Sequence, residues 1–329
     1  MDGHQKQSPA QRVTTAIIEK LEAGTRPWAQ PWQGANIHRP LRVCGTPYRS
    51  INRLTLSMLA IGRGYSSPYW MTFGAAIERG AHVRRGEKGS LVVYSGKTAG
   101  KAAASGDDAA ASEVYGQRHG EPEPKKSKGG WFMSASAVFC CDQIDGLSDE
   151  FFPEPPPPPR PASEQLDEFM TWVGALGAHV EHGGVQPCYV PSRDVVIMPE
   201  RSRFPCDNSY LATHSHELSH WSGGPSRLAR DFGSRFNDQA RVAEELLAEM
   251  TAALLGSVFG HSADHLDSHA GYIGAWLELL RADDRAIIHI ASRAEATAVW
   301  LLKRGGRADL AAILVGDDVA TADNIAIAA

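Results

Sequence analysis

The chain has 329 residues, 43% of them hydrophobic and 22% charged, with a formal net charge of -5. That length can bury more than one core, so two domains are expected, and no apolar run reaches the roughly 18 to 20 residues of a membrane span, which excludes an integral membrane protein. A polar start without an apolar signal core, and five cysteines in an odd set with no C-x-x-C spacing, predict a cytoplasmic protein with reduced thiols. The charge is uneven: residues 1–100 carry 14 Lys and Arg against 5 Asp and Glu, residues 101–150 carry 5 against 9, and residues 151–329 carry 14 against 24. A front half at +9 and a back half at -10 predict a polyanionic partner for the front alone.

In chain order, Val13, Ile17 and Leu21 have helical spacing and the segment stops at Gly24; Asn52 to Ala60 repeats the pattern. Leu91 to Tyr94 reads as one arm of a β-hairpin, with Trp131 to Phe139 as the other. Residues 98–130, rich in Gly, Ala and charge, open that hairpin as a flexible insertion. Pro153 to Pro161 should form a semi-rigid extended spacer. Beyond it, Ser163 to Leu176 is an amphipathic helix, residues 186–190 and 195–198 form a hairpin, and the chain is helical from Tyr210 onward. The predicted fold class is α+β: a mixed α/β domain over 1–152, a linker over 153–161, and a mostly helical domain with a small β-sheet over 162–329.

The most informative stretch is H-E-x-x-H at 216–220. From the 13 histidines and 19 glutamates, the number of accidental matches expected in a chain this long is about 0.03. Asp207, Asn208 and Ser209 offer N-cap oxygens and Gly223-Gly224-Pro225 ends the segment, so it reads as a helix. Four residues apart, His216 and His220 lie on one face and can share an ion, while Glu217 stands beside them as a base for water. Downstream, Asp238 is placed as the cap of a helix with apolar face Val242, Leu246, Met250 and Leu254, bearing Glu244, Glu245 and Glu249. Glu245 is the predicted third ligand, because Glu249 one turn on can then hold a histidine by its free N–H; Glu244 is the alternative ligand. Two His, one Glu and an open position describe a catalytic Zn²⁺ site, with another divalent transition metal as the variant. His261, His265 and His269 form a weaker second metal face, His214 points away from the site, and Cys140 and Cys141 read as core thiols.

With these residues in view, the chain resembles the ArdC-type antirestriction proteins, whose N-terminal half also occurs in conjugation-associated primases. The matching residues include Pro27-Trp28, Pro31-Trp32, Tyr48 to Asn52, Ser67 to Phe73, Val83 to Gly89 and Asp142 to Leu147 in front. At the back they are Tyr189-Val190-Pro191 with Asp194, H-E-x-x-H with Trp221, Glu244-Glu245 and Glu249. The resemblance implies a front domain that binds single-stranded DNA, a zincin-like metallopeptidase domain behind it, and a mobile-element product that protects incoming DNA from restriction. It also implies a peptide or protein substrate, host restriction components among the candidates, and action in the cytoplasm, the recipient's included. The residues agree: arginines interleaved with aromatics let cations follow phosphates while rings stack on unpaired bases. Trp28, Trp32, Arg49, Asn52, Tyr69, Arg84, Arg85 and Lys88 are the candidate DNA contacts. Trp28 and Trp32, each after a proline, are expected to be exposed, and Trp70 and Phe73 to be core. Tyr210 or a histidine from 261–269 is the candidate for stabilising a tetrahedral oxyanion.

Overall fold

In a computed structural model of the chain, the described residues are 7–24, 26, 28, 39–97, 131–154, 161–261 and 272–316. The expected insertion at 98–130, spacer residues 155–160, Trp32, His265 and His269 lie outside them.

Helix α1 (Pro9–Glu22) begins four residues before the Val13 stripe, because Ser8 accepts from the Gln11 N–H at 3.1 Å while Gln11 accepts from the Ser8 N–H at 2.8 Å. Helix α2 (Ser50–Arg63) ends at Gly64, whose φ of 66° is left-handed. Its apolar side, Leu56 and Ala60, packs with Tyr48, Trp70, Val92 and Val138 against a four-stranded sheet. The strands are β1 (Leu41–Arg42), β2 (Tyr69–Thr72), β4 (Ser90–Lys97) and β5 (Trp131–Cys140), in the order β1-β2-β5-β4. The β4–β5 hairpin is antiparallel and in register from Ser90↔Val138 to Lys97↔Trp131, so residues 98–130 leave and return at paired positions. Short strands β3 (His82–Val83) and β6 (Ile144–Asp145) pair beside helix α3 (Phe73–Glu78). Cys140 and Cys141 are fully buried free thiols, and burial pushes the Cys141 thiol up to about 12.

The back domain opens with α4 (Ala162–Leu176) and a three-stranded sheet of β7 (His179–His182), β8 (Cys188–Val190) and β9 (Val195–Met198), ordered β7-β9-β8. The β8–β9 hairpin is the predicted one; β7, parallel to β9, is an addition. Helices α5 (Asp207–Ser222), α6 (Gly233–Phe236), α7 (Ala240–Phe259), α8 (Ile273–Ala282), α9 (Ala286–Arg304) and α10 (Ala308–Val315) complete it. Two predicted caps are displaced. Cys206, in extended backbone, is the N-cap of α5, and Asp207 is instead tied to Arg201 at 2.7 Å. Asp238 falls inside a 3-10 turn, and Gln239 precedes α7.

The two domains share one core. Val13, Ile17, Leu21, Trp28 and Ile51 of the front pack in a single cluster with Leu246, Met250, Trp276, Ile287 and Ile290 of the back. Each large side chain so buried contributes about 1.5–3 kcal/mol. A polar seam runs beside it: Glu295, buried on α9, accepts from Arg49 Nε at 2.9 Å and from the Ser50 N–H at 2.6 Å. The domains are therefore joined by a packed face as well as by the spacer.

Candidate metal centre

Helices α5 and α7 cross closely where the small side chains Ala212 and Ala252 meet. One turn further along α5, the imidazoles of His216 and His220 turn toward α7, with their Nε2 atoms 3.0 Å apart. Glu245 Oε2 stands 3.5 Å from His216 Nε2 and 3.8 Å from His220 Nε2. Ligand atoms 2.0–2.2 Å from a tetrahedral ion are about 3.3–3.6 Å from one another, so this donor set fits a single small divalent cation. It is the one group of three or more such donors with a common centre among the described residues.

Each histidine has a carboxylate behind it. Glu249, fully buried, lies 3.7 Å from His216 Nδ1 through Oε1. Glu244 lies 3.2 Å from His220 Nδ1 and is locked by Arg230, which reaches its carboxylate at 2.5 Å. Glu244 thus faces His220 Nδ1, on the far side of the ring from Nε2, and is not among the donors with a common centre. Arg230 comes from the turn after α5, and nothing in the local pattern of α7 announces it.

The charges suit a cation. Burial would raise the Glu244 carboxyl, yet its hydrogen bond to His220 and the Arg230 charge bring it down to about 2. Burial would likewise raise the Glu245 carboxyl, and the two imidazoles hold it well below the ordinary carboxylate range. Burial would lower the His220 imidazole, but Glu244 and Glu245 lift it to about 10, as expected where surrounding carboxylates favour positive charge.

Glu217, nearly buried, is the next residue round the helix from His216. Strand β8 packs against α5, and the Cys188 thiol on it is raised first by burial and then by the Glu217 charge. Among the described residues β8 pairs with β9 alone, so no strand is paired along its other edge. Arg227 fixes this hairpin to α5: it bonds Asp194 Oδ1 at 2.6 Å, the Tyr189 hydroxyl at 3.0 Å and the Trp221 carbonyl at 2.5 Å, and lies over the Trp221 ring.

Other expectations change. Tyr210 is 2% exposed and its hydroxyl is engaged with His182 Nε2 at 3.1 Å, so it does not serve the oxyanion. His261 is buried between Phe169 and Phe259, 3.4 Å from Ser215 Oγ, and cannot begin an exposed metal face. His214 is also buried, against Phe169 and Tyr210, and burial takes both imidazoles down to about 3.

In the front domain two candidate DNA contacts are withdrawn. Trp28 is 1% exposed, edge-on to Trp276 with centroids 5.4 Å apart, because the helices of the back domain cover it. Asn52 is buried, and its amide bonds both the N–H and the carbonyl of Val93 at 2.8 and 2.7 Å, fastening α2 to β4. Arg49 is committed to Glu295, and Tyr69 is half-buried, edge-on to Phe151. Arg84 pairs with Asp145 and Glu87, whereas Arg85 and Lys88 are exposed and in no ion pair among the described residues. Trp70 is core as expected, but Phe73 is 55% exposed.

The back of the chain therefore defines a zincin-like metallopeptidase domain, and the description of that name matches residues 164–293. The description "N-terminal domain of anti-restriction factor ArdC" matches residues 7–139. Crystal structures of the antirestriction ArdC protein from the R388 plasmid, metal-free and Mn(II)-bound, are similar with TM-scores of 0.69 at 34% and 33% identity. They cover 90% and 91% of this chain and 97% and 98% of theirs. An uncharacterized protein, y4eC, of Sinorhizobium fredii (strain NBRC 101917 / NGR234) is 35% identical over 88% of this chain and 90% of its own length. A DNA primase TraC of Escherichia coli is 34% identical over 87% of this chain, but that match takes in only 26% of the primase. The chain belongs to the ArdC-type antirestriction family.

Proposed function

We propose that the protein is an antirestriction factor of a mobile element, which binds single-stranded DNA through its front domain and hydrolyses a peptide or protein substrate at the α5–α7 centre. The observation that carries the hydrolytic half is the convergence of His216, His220 and Glu245 beside Glu217 and a strand edge that is unpaired among the described residues. His216, His220 and Glu245 would hold the cation, Zn²⁺ by the nature of its donors; when bound, it supplies Lewis acidity toward a carbonyl oxygen and water. Glu217 takes a proton from the attacking water and returns it to the departing amine. Glu249 and Glu244 hold the two imidazoles in orientation from Nδ1. The unpaired edge of β8 takes an extended peptide as an added strand, which lays its backbone across Glu217.

The DNA-binding half is supported by the family and by the balance of +9 over residues 1–100. Together the two halves describe a protein that acts in the cytoplasm, including that of the recipient, on incoming DNA and on a host component that attacks it. The decisive experiment is a conjugation assay into a restricting recipient with Glu217→Gln, alongside metal analysis of the same variant. Loss of protection with metal retained supports hydrolysis. Full protection with metal retained leaves coating of single-stranded DNA as the mechanism.

A further inference from the structure

Single-stranded DNA needs rings for its bases and cations for its phosphates, on one accessible surface. With Trp28 and Asn52 buried and Tyr69 turned against Phe151, that surface has to lie elsewhere in the front domain. The most exposed aromatic ring among the described large hydrophobic side chains is Phe73, at 55%, and Ile77, one turn on along α3, is 53% exposed. Two large apolar groups on one face of a six-residue helix call for an occupant.

Phe73 is at this place because of its neighbours. Thr72 accepts from the Ala75 N–H at 3.2 Å and caps α3, so the chain leaves β2 immediately before Phe73 and the ring turns outward. Phe139, half-buried on β5, backs it edge-on with centroids 6.5 Å apart. The backbone of Gly89 lies so near Phe139 that an added Cβ would come within 3.0 Å of its ring. The turn 84–89 is thereby pressed against the same aromatic pair.

That turn is rigid. The Arg84 N–H donates to the Gln143 carbonyl at 3.0 Å, and Gln143 Nε2 donates to Glu87 Oε2 at 2.8 Å and to the Lys88 carbonyl at 3.2 Å. Gly86 supplies the left-handed φ of 90°. Arg84 pairs with Glu87 and Asp145 and Arg63 stands 3.9 Å from Glu87, which leaves Arg85 and Lys88 outside any ion pair among the described residues, and Arg79 at the end of α3 likewise. Glu78 and Asp142 are neighbouring carboxylates without such a pair among the described residues, and Asp142 is taken up by the Ser66 and Ser67 N–H groups at 3.0 and 2.7 Å. Unbalanced cations beside an exposed ring favour a polyanion with stackable faces over an apolar partner or a second copy of a chain that is itself negative.

We propose that Phe73, backed by Phe139 and with Ile77 beside it, is the platform on which an unpaired base of single-stranded DNA stacks, while Arg85 and Lys88 hold the adjoining phosphates. This rests on the reading of the protein as a single-stranded DNA binder, and the test separates the two. Full-length wild type and variants are titrated with a fluorescent dT20 oligonucleotide at several salt concentrations, with sedimentation to record mass. Wild type binding that is absent at 50 mM salt rejects the DNA reading itself. If wild type binds, Phe73→Ala should lose about 5- to 100-fold in affinity with an unchanged salt slope, and Phe73→Trp should restore it. Arg85→Ala and Lys88→Ala should each lower the slope of log affinity against log salt by about 0.7. Wild-type affinity in Phe73→Ala overturns the platform, as does a change in mass with oligonucleotide affinity unaltered, which would assign the face to a second copy.

Discussion

Arg26, in the front domain, holds Nη1 3.8 Å from Oε2 of Glu249, the buried carboxylate behind His216. The segment that follows α1 thus touches the support of a candidate metal ligand. Glu249→Ala should weaken metal binding about 10- to 100-fold, as removal of such supports does. Arg26→Ala, acting at one remove through a long, largely buried pair, should weaken it less than Glu249→Ala does. Chelator competition with Zn²⁺ and Mn²⁺ measures both; equal affinities for wild type and Glu249→Ala would mean that Glu249 does not position His216.

Glu217→Gln should bind the metal with the wild-type stoichiometry and lose about 10²- to 10⁴-fold of peptide hydrolysis, the usual weight of a general base. His216→Ala should lose the metal itself. Elemental analysis of the purified variants, read beside cleavage of a peptide library, distinguishes a missing base from a missing ion.

Unfolding of the full chain should be a single transition across both domains, since Ile17, Trp28 and Ile51 belong to the same cluster as Leu246 and Ile287. Residues 1–150 expressed alone expose that face and should be digested readily by protease. Glu295→Ala, which removes the acceptor of Arg49 and of the Ser50 N–H, should lower stability of the whole chain by about 1–3 kcal/mol in urea titration. Two separate transitions, with the substitution shifting neither, would show that the seam does not couple the domains.

Acid should destabilise the protein through its buried histidines. His214 and His261 stay neutral in the folded chain down to about pH 3, because burial opposes their charge, whereas in the unfolded chain they protonate near 6.5. Between those values unfolding takes up protons, so stability falls as pH falls; above about 6.5 these two imidazoles are neutral in both states and their contribution is constant. Each imidazole contributes a slope of at most about 1.4 kcal/mol per pH unit. His261→Phe, with a ring to fill the space between Phe169 and Phe259, should flatten the acid limb of urea midpoints measured from pH 7 to pH 4.5; an unchanged limb would exclude His261 as a contributor.

The two candidate histidine donors were legible in the sequence because the relation between them is local: four residues on a helix bring His216 to His220 whatever the rest of the chain does. That Glu245 stands beside them depends on how α7 crosses α5. The role of Glu244 depends on Arg230, which arrives from another turn, and so no spacing on α7 reveals it. Strand β7 was missed because His179-Val180-Glu181-His182 has no apolar alternation and earns its place by parallel pairing with β9. Trp28 and Phe73 exchange their expected surroundings for related reasons. A ring 248 positions away in the sequence, Trp276, covers the first, and the Thr72 cap swings the second out of the strand, a signal that T-x-x-A after an apolar run carries in its letters.

The common core also bears on inheritance. A recombinant that joined the front half of one relative to the back half of another would have to match the apolar face around Trp28 and Trp276 and the seat of Glu295 at the same time. The Escherichia coli primase, whose match to this chain runs through 87% of it, includes both halves together within a much longer protein. On this view the two halves are inherited as one unit, because neither keeps its apolar face covered without the other.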